Sequence, residues 1–183
     1  GKQTLPFDPP ESLGLIYDYD HWVNLGKQVS NYPLFNAGSY LQRDAQNPDL
    51  NFIEAHVAEL THELLEALKA DQSVVLILRS DNPHNYPELR KALIDLDRMG
   101  IDVPVIIKTQ YHTSDQEQFI LSASTHVGGL LIDGFGDGVW INYDNPEEAN
   151  PVNTIRLCNR TNFGILQATG ARISKTEFIA CPS

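Results

Sequence analysis

A chain of 183 residues with 42% hydrophobic content is long enough for one compact domain with a single core. Its formal net charge of -11 argues against a nucleic-acid partner, since binding a phosphate backbone depends on Lys and Arg. No run reaches the length of a membrane span, no basic leader with an apolar core opens the chain, and Cys158 and Cys181 make neither a secreted disulfide framework nor a C-x-x-C pair, so a reducing, cytosol-like compartment is expected.

Residues 1–50 read as an irregular opening to the same domain, with Pro6, Pro9 and Pro10 ahead of a strand over 13–19 and a second short strand near 38–41. From 51 the pattern is regular. Ile53, Val57, Leu60, Leu64 and Leu68 recur at helical spacing behind an apparent Asn51/Glu54 capping box, which predicts a helix. Residues 74–78, Val-Val-Leu-Ile-Leu, predict a strand buried on both faces. A helix from Asn85, with Pro87 in its first turn, buries Leu89, Leu93 and Leu96 and stops at Gly100. A strand over 103–107 and a helix capped by Ser114 and Glu117, carrying Phe119, Ile120, Ala123 and Val127, come next.

The short apolar run 129–132 then predicts a buried strand, followed by a turn with Gly134, Gly136 and Gly138 at alternate positions and by extended residues 139–143. A last helix over 151–169 starts on Asn150 and Pro151, puts Val152, Ile155, Asn159, Phe163 and Leu166 on one face, and ends at Gly170. Residues 51–170 thus form an α/β body, and 171–183 an extended exit segment. Alternating helices and strands predict a parallel sheet wrapped by helices, with an open doubly wound sheet and part of a barrel both open. A complete eight-fold barrel needs about 250 residues.

Two motifs carry a resemblance. The stretch Gly-Gly-Leu-Leu-Ile-Asp-Gly-Phe-Gly-Asp-Gly from Gly128, and Lys-Thr-Glu-Phe-Ile-Ala-Cys-Pro-Ser at the end, resemble the iron-sulfur hydroxymethylbutenyl diphosphate synthase family of isoprenoid biosynthesis, also written IspG or GcpE. In that family, Gly-Leu-Leu-x-x-Gly-x-Gly-Asp leads through a helix to Lys-Thr-Glu-[Phe/Tyr]-[Ile/Val]-[Ala/Ser]-Cys-Pro-x-Cys-Gly-Arg. The match is clear over about residues 103–183 and thin before. A leading Gly1 and an end inside the cysteine motif suggest an engineered piece of a longer protein.

The resemblance implies the insert domain of a three-domain member, between its catalytic barrel and its cluster domain, and hence a partial or degenerate TIM-barrel-like fold. For the intact enzyme it implies a [4Fe-4S] cluster with Cys181 as one ligand, ferredoxin or flavodoxin as electron donor, and a bacterial cytoplasm or a plastid as location. In the catalytic copy of the loop, Glu-Gly-Ile-Gly-Asp-Thr-Ile-Arg-Val-Ser, an Arg and a Ser are suited to anchoring the cyclic diphosphate. Here Gly134, Gly136 and Asp137 persist while Trp140 and Asn142 replace those anchors, and Trp offers one neutral donor. The expectation is a non-catalytic spacer without cofactor of its own, whose partners are the other domains of its chain. The alternative is a small-molecule or anion-binding regulatory domain that uses Gly134, Gly136, Asp137 and Gly138.

The remaining polar residues have plainer readings. Asp18, Asp20 and His21 read as a solvated turn rather than metal ligands. His56 and His62 lie six apart, off ligand spacing on a helix, and His126 stands alone. Glu63 and Glu66 read as a solvated helix face. Asp133 and Asp137 read as turn formers rather than a calcium loop, and Arg156, Arg160 and Arg172 as members of ordinary surface ion pairs.

Overall fold

The computed structural model describes residues 13–25 and 30–172. Six strands form one sheet in strictly sequential order: β1 (Leu15–Asp18), β2 (Asn31–Asn36), β3 (Asn51–His56), β4 (Val74–Arg79), β5 (Val105–His112) and β6 (Gly138–Asp144). Every neighbouring pair is parallel. A doubly wound sheet reverses its strand order at a switch point, whereas a (β/α) barrel adds each strand beside the one before it. The order here never reverses, and the sheet curls into an open half-barrel flanked by helices, as the partial-barrel expectation has it.

The helices are α1 (Tyr19–Leu25), α2 (Ala37–Leu41), α3 (His62–Ala70), α4 (Asn85–Arg98), α5 (Gln116–Ala123), α6 (Gly129–Ile132) and α7 (Pro151–Ala168). They pack on one face of the sheet. Phe35, Ile53, Leu76, Leu78 and Ile107 meet Leu64, Leu68, Leu89 and Phe119 there in a single buried cluster. Alternate strand residues turn to the other, inner face. Ile77 is fully buried on that face, in register with Glu54 on one side and Ile106 on the other. Phe119 anchors α5 by stacking on Tyr143 of β6 at 4.0 Å between ring centroids.

Several local expectations held. The strand at 74–78, the helix from Asn85 to the turn at Gly100 (φ +66°), and the last helix from its Asn150 cap to Gly170 (φ +74°) are all present.

Others did not. Residues 51–56 are strand, not helix, and the helix begins after Thr61, whose hydroxyl accepts from Leu64 N. The four-residue spacing of apolar positions ran on across a strand, a 3₁₀ turn (Val57–Glu59) and a helix. Asn51 caps nothing; its buried amide donates to Asn47 O and Ser73 Oγ and ties two loops together. Residues 129–132 are the end of a helix that runs on from α5 through a π turn (Ser124–Gly128), because a short apolar run fits a buried helix as well as a strand. The strand expected near 38–41 is Asn31–Asn36, and 37–41 is a helical turn held by an Asn36/Ser39 capping box. Asp115, not Ser114, caps α5. On α7 the buried face is Leu157, Thr161 and Ile165, while Val152, Ile155 and Phe163 are exposed.

One buried tie gives the fold an acid-sensitive point. Tyr40 is wholly buried and its hydroxyl donates to Asp71 Oδ2 at 2.9 Å, with Arg43 Nη2 3.4 Å from the same oxygen. Burial pushes the Asp71 carboxyl up, but hydrogen bonds from Ser73, Tyr40 and the Arg43 charge outweigh it and hold the group below its ordinary value. A depressed folded pKa stabilises the fold above the unfolded value, and that stability is lost as pH falls through the folded one. Wild type is therefore expected to lose stability below about pH 4, and Asp71→Asn to lose less over the same window. Denaturant midpoints at stepped pH measure this. Parallel curves for the two proteins would remove Asp71 from the account.

Candidate functional site

In (β/α) barrels, chemistry sits at the C-terminal ends of the strands. Register brings His56, Arg79, Lys108 and Trp140 into one row, which ends β3 and β4 and crosses β5 and β6 about half-way along, so that the two later strands rise past it. Glu54, one step below, reaches up to two of them. Its Oε2 lies 2.6 Å from Lys108 Nζ and its Oε1 3.2 Å from Arg79 Nε. Arg79 Nη1 also pairs with Asp81 Oδ1 at 2.5 Å, and Lys108 Nζ lies 4.5 Å from the centre of the Trp140 ring. The Trp140 indole N–H donates to Asn142 Oδ1 at 3.1 Å, so both substitutions in the loop's catalytic pattern bond to one another. His56 Nδ1 accepts from Ala58 N at 3.0 Å, and its Nε2 lies 3.7 Å from Asp81 Oδ2. Beside this row, toward β1, a cleft of 460 Å³ is lined by Asp18, Asp20, Asn36, Glu54, Glu59 and Arg79.

The glycine loop lies at the other end. It runs into β6, so it stands at the N-terminal edge of the sheet, where conserved geometry in barrels serves stability. Gly134 and Gly136 have φ of +83° and +86°. Asp137 closes the loop on the start of β5: its N–H donates to Val105 O at 2.7 Å, and its Oδ2 accepts from Val105 N at 2.8 Å. A Cβ on Gly136 would fall 2.6 Å from Ile107 Cδ1, and one on Gly138 3.2 Å from Ile106 Cγ1. Asp133 is taken up by Arg90 Nε at 2.8 Å and the Tyr86 hydroxyl at 3.0 Å. Arg90, then Tyr86, hold its carboxyl below the ordinary carboxylate value. Both loop carboxylates thus serve protein donors.

The other sequence candidates are dispersed. Asp18 and Asp20 line the cleft, while His21 packs on the Tyr17 ring. His56 ends a strand and His62 opens α3, so they never shared a helix. Glu63 and Glu66 are exposed on α3. His126 Nδ1 lies 3.3 Å from the Tyr111 hydroxyl, and burial, aided by nearby His84, holds its pKa below the ordinary imidazole value. Among the described residues no ion pair engages Arg156, Arg160 or Arg172, contrary to the surface-pair reading. No group of three or more His, Cys, Asp or Glu among them is placed to hold a metal. Cys181 and the exit segment from 173 lie outside the described residues.

A [4Fe-4S] cluster does not fit the described residues. It takes several thiolates, and the cysteine present, Cys158, is spent at the open side of β6, where its thiol donates to Ile141 O at 2.8 Å. Burial pushes that thiol's pKa up, the reverse of what a ligand needs.

No family model matches the chain. Individual proteins do. A 4-hydroxy-3-methylbut-2-en-1-yl diphosphate synthase (flavodoxin) of Parabacteroides distasonis is 34% identical over 183 residues, 100% of this chain and 28% of that protein. The synthase of the same name from Protochlamydia amoebophila is 34% identical over 176 residues, 96% of this chain and 24% of its own length. That from Porphyromonas gingivalis is 35% identical over 147 residues, 80% of this chain and 24% of its own length. The chain belongs to this synthase family. It spans about a quarter of the length of these relatives. Similarity to the synthases also reaches across the first hundred residues, where the two motifs are silent.

Proposed function

We propose that this part of the synthase is a non-catalytic insert domain that sets the distance and orientation between a catalytic barrel and a [4Fe-4S] domain of the same chain. The intact enzyme reductively opens methylerythritol cyclodiphosphate to hydroxymethylbutenyl diphosphate, with flavodoxin or ferredoxin as electron donor and Cys181 among the cluster ligands. In this reading, residues up to 50 open the domain, 51–170 form its body, and 171–183 lead toward the cluster domain. A bacterial cytoplasm is the proposed location; no described helix is long and apolar enough to cross a membrane.

The observation that carries this is the neutralised mouth. A substrate diphosphate needs several free cationic donors, and the two cations in the mouth row, Arg79 and Lys108, already share Glu54. The glycine loop supports the same reading, since Asp137 and the backbone at Val105 close it from within.

Two measurements on the full-length enzyme test the proposal. Lys108→Met removes the most enclosed mouth cation and is expected to leave kcat and KM unchanged, whereas a rigid helical insertion between Gly170 and Ala171 is expected to lower kcat by roughly tenfold or more, as misplacement of reacting groups does. A loss of turnover in Lys108→Met with unchanged stability would return the mouth to the chemistry. Diphosphate is likewise expected to leave the melting temperature of this domain unmoved, because only a ligand that prefers the folded state raises it.

A further inference from the structure

The outer face made by α5, α6 and α7 holds an apolar groove of 320 Å³, with Gly128, Gly164 and Ala168 at its floor and Ile120, Ile132 and Arg160 around it. Ile132 is 72% exposed, and Phe163, on α7 beside the lining residue Gly164, is 46% exposed. Gly164 sits inside the eighteen-residue α7, where glycine weakens a helix, yet a Cβ there would meet nothing within 4 Å. The domain's own packing gives no reason for that missing side chain; clearance for something above it does. Among the described residues Arg156 and Arg160, one turn apart on α7, and Arg172, whose guanidinium carbon lies 5.5 Å from the Phe163 ring centre, hold no carboxylate, nor does Arg98 on α4, whereas Arg43, Arg79 and Arg90 each do. A chain of net charge -11 thus keeps Arg160 free at the groove itself, with Arg156 one turn back on α7 and Arg172 over Phe163.

We propose that this groove seats a neighbouring domain of the longer polypeptide through an apolar helix flanked by carboxylates; the proposal rests on the spacer reading and names the surface that reading requires. An apolar centre with an arginine rim is the composition of a protein interface. The described residues end at Arg172, over Phe163 of α7, the helix that lines one side of the groove, and the chain matches only 28% of a relative's length, so most of such a protein lies outside this stretch. A domain tethered beside the groove meets it at high effective concentration, and modest contact area suffices. A second copy fits worse, because a twofold contact sets the same three arginines against themselves.

Hydroxyl-radical footprinting of the full-length synthase tests this, with each labelling rate divided by the intrinsic reactivity of its side chain and with buried Leu130 and half-exposed Met99 as internal references. Ile132 and Phe163 are expected to label as little as Leu130 in the wild type, and to label like Met99 in Gly164→Leu and in Arg160→Glu, neither of which meets a packed neighbour. Labelling of Ile132 and Phe163 at the Met99 level in the wild type would overturn the proposal, even if the insertion after Gly170 still lowers turnover and the spacer reading stands. Protection that Arg160→Glu abolishes without any change in turnover would keep the docking surface and remove the spacer role. Protection that disappears on dilution, together with a dimer-to-monomer transition, would assign the groove to a second copy and overturn the proposal as well.

Discussion

Replacing Gly136 with Val is expected to destabilise the domain by about 2–4 kcal/mol, the sum of a β-branched residue forced to positive φ and an overpacked contact. The two causes separate at neighbouring positions. Gly134 has nearly the same φ, +83° against +86°, but a Cβ there meets nothing within 4 Å, whereas at Gly136 it falls 2.6 Å from Ile107 Cδ1. Gly134→Ala therefore carries the backbone cost alone, about 1 kcal/mol. Ile107 cannot step aside cheaply, because it is fully buried between the sheet and the helices. Denaturant unfolding of the two variants measures the difference. Equal losses would mean that backbone strain, not the approach of β5, is why glycine stands at 136.

The second large effect is expected at the mouth. Glu54→Ala leaves Lys108 and Arg79 side by side with their shared carboxylate gone, and breaking such a pair costs about 3–5 kcal/mol when fully buried. Glu54 is 22% exposed and Lys108 18%, and Arg79 keeps Asp81, so about 2–3 kcal/mol is expected after allowance for solvent screening. Adding Lys108→Met to Glu54→Ala should recover part of the loss, since the stranded charge goes with it. The variant also makes an affirmative test of the neutralised mouth. With Glu54 removed, inorganic phosphate is expected to raise the melting temperature of Glu54→Ala and not of wild type. Stabilisation of both proteins alike would show that the mouth holds anions without that substitution.

What was legible in the sequence was whatever one segment decides by itself. The unbroken Val-Val-Leu-Ile-Leu run has no polar side to show and carries three β-branched residues, which favours a strand covered on both faces. Asn150 with Pro151, and Gly100 and Gly170 at positive φ, are local chemistry that leaves a local signature. Where two structures share a short-range pattern, the reading failed. Ile53 and Val57 sit four apart as on a helix, but Ile53 is buried because β2 and β4 flank it, and those neighbours lie far off in the chain. Thr161 at the centre of α7's buried stripe made the exposed stripe look the more apolar one. The mouth cluster was invisible for the same reason. Glu54 meets Lys108 across 54 residues, and nothing near either predicts the other. A signal was present in hindsight of the strand assignment: Glu54, Arg79 and Lys108 each put a charge into an otherwise apolar strand, on its inner face.

The thiol of Cys158 has a meaning for solubility. Among the described residues β6 is the last strand of the order, and no further strand pairs with its far side, the situation from which sheets of separate molecules join. Cys158 occupies that side from above, giving its S–H to Ile141 O and lying against the Tyr143 N–H, with Asn162 Nδ2 3.5 Å behind it. A side chain from the following helix thereby takes up backbone groups that a seventh strand would otherwise pair. The guard is also self-preserving. Oxidants attack thiolate, and the burial that brings the sulfur to the strand is what keeps it protonated. Bulky alkylation at that sulfur is expected to uncover this part of the edge and to raise self-association, which light scattering of the modified protein measures.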